Sequence, residues 1–213
     1  MPEPGRRLSD AEFDAVWDLL GLGAQPGVLR LRTPPRSRDD RRGITARGLA
    51  GLRGRGLAGP SGPDPGLVRL LMLLASPARL LEVRGHFGAP WRALAAERGD
   101  EAVLAVRTGG AVVVGPAGPP PHAVAAALPS WTGERGCTAR IGAVAHDRWG
   151  SPRHAPGHVD VVDTPAGRTV TGPGGAGDPG VLLAALLTAA GGPLGPGPLS
   201  PGRSAASAAV RPR

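Results

Sequence analysis

The sequence predicts an α+β protein, an antiparallel sheet core with flanking helices, and three observations carry that expectation. Helical segments with capping signals stand near both ends of the foldable stretch, at 10–20 and from Asp178 to Ala190. Between them run short apolar or alternating segments about ten residues apart, the spacing of a β-meander. These segments come in runs, not one by one between helices, which argues against a doubly wound parallel sheet.

The first helix is the best specified. Ser9-Asp10-Ala11-Glu12 is a capping box, in which the serine hydroxyl meets the N3 amide and the glutamate reaches back. Leu8 and Phe13 occupy the positions of a hydrophobic staple, and Phe13, Val16, Trp17 and Leu20 form an apolar stripe that Gly21 and Gly23 end. Val28–Arg32 reads as a short alternating strand. Residues 33–63 are rich in Pro, Arg and Gly. A helix over 39–57 would be weak, because Gly48, Gly51, Gly54 and Gly56 each cost about 1 kcal/mol relative to alanine. Asp64-Pro65 is an N-cap followed by proline at N1, opening a helix that buries Leu67, Leu70, Leu71 and Leu74 and stops at Ser76-Pro77.

The sheet-forming heart follows. Leu80–Phe87, Trp91–Glu97, Ala102–Thr108 and Ala111–Val114 are separated by the turn signals Gly88-Ala89-Pro90, Arg98-Gly99-Asp100 and Gly109-Gly110. Pro121–Leu128 closes this half as a short helix. A second strand set, Ala139–His146, His158–Asp163 and Arg168–Thr171, turns at Thr164-Pro165-Ala166-Gly167. Asp178 caps the last helix with Pro179 at N1. Residues 191–213 have little to bury and are expected to be disordered.

Composition narrows the function. The chain holds no Lys, Asn or Tyr and only two Ile, the mark of a high-GC genome, so the net charge of +8 partly reflects GC-rich arginine codons. The one basic run, Arg36, Arg38, Arg41 and Arg42, reads as a solvated face, with an anionic partner as the alternative. A single cysteine, Cys137, excludes an intramolecular disulfide and a multi-cysteine zinc site. The N-terminus lacks a signal-peptide apolar stretch, and the longest apolar run, Val181–Ala190, is too short to span a bilayer. A cytoplasmic protein without membrane insertion is the expectation.

No catalytic or cofactor-binding residue is assigned. The glycine-rich stretches lack a phosphate-loop pattern, since the chain has no lysine. His146, His154 and His158, with Asp147 and Asp160 nearby, could hold zinc only if a hairpin gathered them, and surface histidines are the reading taken. Cys137 beside Arg135 and Arg140 could be a reactive thiolate but is read as a small buried hydrophobe. Ser130 and Ser151 have no nucleophile-elbow context. Glu82 and Glu97 are read as solvent-facing strand residues, not as an acid–base pair. Trp17 belongs to a helix stripe; Trp91, Trp131 and Trp149 are read as core or edge packing before interface anchors.

Three stretches together resemble the EspG family of ESX (type VII) secretion-associated proteins of actinobacteria. They are Leu8-Ser9-Asp10-Ala11-Glu12-Phe13-Asp14-Ala15-Val16-Trp17 with Leu20-Gly21-Leu22-Gly23; Arg98 through Arg107; and Asp147-Arg148-Trp149-Gly150 through Asp163-Thr164-Pro165-Ala166-Gly167-Arg168. The resemblance implies a pseudo-twofold α/β sandwich and a non-enzymatic cytoplasmic chaperone. Its partner would be the helical tip of a PPE protein in a PE–PPE pair, or another ESX-type substrate, kept soluble for export. It assigns no partner-binding residue. It also implies one domain over 1–190, with a first half at 1–128, a second half at 129–190 and a tail at 191–213. Only ten residues separate Leu128 from Ala139, shorter than the helical stretch the family carries there, and Thr169 stands where the family has an aromatic. The alternatives are an anion or nucleic-acid binder using the Arg-rich 30–55 segment, and a degenerate paralogue without a client.

Overall fold

A computed structural model of the chain describes residues 5–29, 38–130, 137–147 and 150–191. Strand β1 (Arg6–Ser9) leads into helix α1 (Asp10–Leu19). Helix α2 (Arg38–Gly54) is followed by the small hairpin β2 (Ala58–Gly59) and β3 (Gly62–Pro63), then by α3 (Pro65–Ala75). The meander β4 (Arg79–His86), β5 (Pro90–Arg98), β6 (Glu101–Thr108) and β7 (Ala111–Pro116) ends in α4 (Pro120–Ala127). After it come β8 (Thr138–His146), β9 (Pro152–His154), β10 (Val159–Thr164), β11 (Gly167–Gly172), β12 (Gly175–Ala176) and α5 (Pro179–Gly191).

The expected α+β class holds. Except for β2 and β3, the strands form one antiparallel sheet in the order β1-β7-β6-β5-β4-β8-β10-β11-β12, with β9 also on β8. The hairpin turns set its register: Gly109 and Gly110 take positive φ angles of 54° and 80°, which only a right-twisting two-residue turn requires. Strand alternation then sorts apolar side chains onto two faces. Leu80, Leu94, Ala96, Val103, Ala105, Val112 and Val114 join α1 and α3 in one core. Leu81, Val83, Trp91, Ala93, Ala95, Ile141 and Val161 join α4 and α5 in the other. α3 touches β5, β6 and β7, whereas α5 touches β4, β8, β9, β10 and β11 from the opposite side. α3 and α5 thus sit diagonally across the sheet, while α4 packs on β4, β5 and β6 on the face opposite α3.

All three capping expectations are met. Glu12 N–H donates to Ser9 Oγ at 3.3 Å while Ser9 N–H donates to Glu12 Oε2 at 2.7 Å. Leu67 N–H donates to Asp64 Oδ1 at 2.8 Å. At the last helix, Val181 N–H donates to Asp178 Oδ1 at 3.0 Å.

Three expectations need correction. Val28 and Leu29 are not in a strand: Leu29 N–H donates to Pro26 O at 2.9 Å, and this turn pushes both side chains into the first core; residues 30–32 lie outside the described ones. Helix α2 forms over Arg38–Gly54 although its glycines suggest a weak helix, and two of them, Gly48 and Gly51, serve contact. A Cβ on Gly48 would lie 2.5 Å from Ala11 O and from Ala15 Cβ, and one on Gly51 would lie 2.6 Å from Glu12 Oε1. The backbones of α1 and α2 approach where glycine permits it. Lastly, the stretch between His146 and His158, given no strand above, contains one: β9 pairs with β8 in the register Val144↔His154, Ala145↔Arg153 and His146↔Pro152. The expected disordered tail falls, apart from Gly191, outside the described residues.

Candidate partner-binding surface

The diagonal helices leave part of the sheet uncovered. On the face that α1 and α3 cover at β5–β7, Leu80 of β4 and Val144 of β8 still reach the first core, and beyond them, among the described residues, α1, α2 and α3 have no extended packing on β4, β8, β10 or β11. The side chains there are Glu82, Arg84 and His86 from β4, Thr138 and Arg140 from β8, and Asp160 and Val162 from β10. Val162 is 39% exposed, an isolated apolar residue on an otherwise polar surface.

Register builds a feature across this face. Arg107 pairs opposite Arg92, Arg92 opposite Arg84, Arg84 opposite Arg140, and Arg140 opposite Asp160. Four arginines on four adjacent strands thus form one row. Arg107 reaches Asp10 at 2.7 Å, and Arg140 reaches Asp160 at 2.9 Å. Arg84 stands 3.6 Å from Glu82, and Arg92 donates through Nη1 to the carbonyls of Gly85 and Trp91 at 2.8 and 2.9 Å. At the Arg92–Arg107 end the row borders a concavity of about 460 Å³, whose wall includes Gly27, Val28, Pro90 and Gly109. The hydrogen bonds from Arg140 hold the Asp160 carboxyl below its usual range, with His158 Nε2, 3.0 Å away, acting in the same direction. The same hydrogen bond raises the Arg140 guanidinium above its ordinary value.

The other conspicuous charge pair is structural. Asp163, 3% exposed, faces Arg168 across the β10–β11 hairpin and receives its Nε and Nη2 at 2.6 and 2.7 Å. The Arg168 guanidinium also lies 5.5 Å from the centre of the Phe87 ring. Hydrogen bonding to Asp163 raises the Arg168 pKa against the opposing effect of burial. The Asp163–Arg168 stretch is therefore a strand–turn–strand connector locked by a bidentate pair.

The remaining candidate residues scatter. His146 lies at the end of β8, with Nδ1 buried and no hydrogen-bond partner among the described residues, while His154 sits on β9 and His158 pairs with Asp160. Among the described residues no three metal-ligating side chains come together. Cys137 is buried, and its carbonyl accepts from Asp163 N–H at 2.8 Å. Ser130 is exposed, and Ser151 donates its amide to Asp147 Oδ1. Glu82 and Glu97 lie on opposite faces of the sheet. Glu97 is not solvent-facing as expected; it pairs with Arg79 at 2.5 Å, its side chain 15% exposed.

Trp17 is buried and donates Nε1–H to Gly23 O at 3.0 Å, and Trp91 meets Phe87 edge-on. Trp131 and Trp149 lie outside the described residues. In the basic run, Arg41 pairs with Asp18 at 2.9 Å and Arg42 with Asp39 at 3.7 Å, while Arg36 and the Arg38 side chain are not described. No helix among the described residues is long and apolar enough to cross a membrane.

No curated protein matches the sequence. Among solved structures, the fold is similar to the Mycobacterium tuberculosis type VII secretion system chaperone EspG5, determined in complex with a PE25–PPE41 dimer. The TM-score is 0.65 at 13% identity, over 87% of this chain and 96% of that one. Residues 9–136 match the model of the EspG family. That match spans the capped first helix, the meander and α4, more than half of the sequence, and the chain belongs to the EspG family.

Proposed function

We propose that this protein is a non-enzymatic chaperone of type VII secretion that binds a helical PE–PPE-type substrate in the cytoplasm and keeps it soluble for export. The observation that carries the reading is family membership over residues 9–136, together with a fold shared along nearly the whole length of a chaperone solved with its PE–PPE client. The open part of the sheet around Arg84, Arg140 and Val162, all exposed, supports it as a surface on which a partner could rest. Residues 1–190 act as one unit, with halves at 1–128 and 129–190 joined through β4 and β8.

The anion-binding alternative through residues 30–55 draws less support. Arg41, Arg42 and Arg55 in that segment already pair with Asp18, Asp39 and Glu12.

Affinity capture of the tagged chain from its native cytoplasm at moderate salt, read by mass spectrometry, tests the proposal. A PE–PPE pair recovered in roughly equal amount is the expected result. Recovery of nucleic acid that washes off as salt rises would favour the basic segment. An empty capture would favour a paralogue without a client.

A further inference from the structure

Cross-strand neighbours of like charge destabilise a sheet, yet here three successive pairings set arginine against arginine. Arg107 has the Asp10 carboxylate at 2.7 Å and Arg140 has that of Asp160 at 2.9 Å. The two central ones are less well matched. Arg84, its side chain 54% exposed, has Glu82 at 3.6 Å, and Arg92 bonds main-chain carbonyls. A row of cations kept in register at a cost to the fold is a surface prepared for anionic groups.

Its spacing says which kind. Adjacent strands stand about 4.8 Å apart, so the Cα atoms of Arg92, Arg84 and Arg140 span about 10 Å in two steps. On a helix, residues three and four apart are neighbours at about 5–6 Å. Three carboxylates at i, i+4 and i+7 therefore span about 10 Å in two steps. Guanidinium forks match carboxylates two bonds at a time. Glu82 and Asp160 lie within the same patch, where they repel a continuous polyanion but leave room for separate carboxylates.

We propose that Arg84, Arg92 and Arg140 form the docking row for an acidic stripe along one helix of the client; Arg107, its side chain 14% exposed and held by Asp10, ends the row beneath α1. This rests on the chaperone reading for the identity of the client, though not for the chemistry of the row.

The test uses the full chain and a synthetic helical peptide of about 16 residues, long enough to hold some helix in water, with glutamates at i, i+4 and i+7. A glutamine counterpart is the control, and fluorescence anisotropy at low salt is the readout. Wild type is expected to bind the glutamate peptide roughly tenfold more tightly than the glutamine one. Arg84→Glu should abolish that preference. Glu82→Gln, which removes a competing carboxylate without introducing a charge, should strengthen binding a few-fold. Equal binding of both peptides, or indifference to both substitutions, overturns the proposal. So does a DNA duplex that displaces the peptide and itself depends on Arg84, because the row then reads phosphates.

Repeating the capture with Arg84→Glu separates the two readings. A client retained equally by variant and wild type removes the row and leaves the chaperone standing. If wild type captures no client, the chaperone reading falls, and the peptide titration still decides the chemistry of the row.

Discussion

Asp163 and Asp160 show how differently two carboxylates three residues apart can be used. Asp163 is buried with its partner Arg168, whose side chain is only 19% exposed. Removing one member of a buried pair leaves the other charge without compensation, a loss of about 3–5 kcal/mol. Asp163→Ala is therefore expected to lower the denaturant midpoint sharply, whereas replacing both residues by apolar ones of similar size should cost far less. Asp160 sits on the open face, where solvent screens its pair. Its folded-state pKa lies below the usual 3.8 because Arg140 hydrogen-bonds the ionised form. The stabilisation is complete above that unfolded value and is lost as pH falls through the depressed one. Arg140→Gln should therefore move the Asp160 carboxyl, followed by NMR titration, upward toward 3.8.

At the scale of elements, legibility followed locality. The helices at Asp10 and Pro65 were readable because a cap and an apolar stripe lie within a few residues of one another. The meander was readable because glycine turns punctuate it. Helix α2 was misjudged because intrinsic propensity counts only the cost of glycine, while its benefit lies in α1, more than thirty residues away in sequence. Gly48→Ala makes the point measurable: an exposed helix would gain from the change. Here the new methyl meets Ala11 O and Ala15 Cβ, and a loss of about 1–3 kcal/mol is expected from chemical denaturation.

Strand β1 was missed for a similar reason. Arg6-Arg7-Leu8-Ser9 carries no strand signal of its own and is ordered by pairing with Val112, Val113 and Val114. Part of the arginine row was within reach. Arg84 and Arg92 lie symmetrically about the Gly88 turn, and Arg92 and Arg107 about the Gly99-Asp100 turn, so the hairpins imply both pairings. Arg140 could not be placed, since β8 returns beside β4 only after α4 has carried the chain across the sheet.

For the whole molecule, the two cores are separate in composition but share a sheet, and β4 contributes Leu80 to one and Leu81 and Val83 to the other. Neither half can lose its packing without baring the other's strands. A single transition is expected in calorimetry, with calorimetric and van't Hoff enthalpies equal; two resolved transitions would mean that the halves at 1–128 and 129–190 are independent domains. The family resemblance was legible from motifs whose roles proved architectural: the capped helix, the meander and the locked hairpin. The open part of the sheet was not, because it is defined by where helices fail to pack, which no local pattern records.

The sheet also ends in a telling way. Its outermost strands are β1, four residues long and bearing Arg6 and Arg7, and β12, just Gly175–Ala176. Strands so short, one of them arginine-bearing, are poor templates for another chain's backbone. With such blunt rims, an extended segment of another chain finds little backbone on which to add itself as a further strand and propagate.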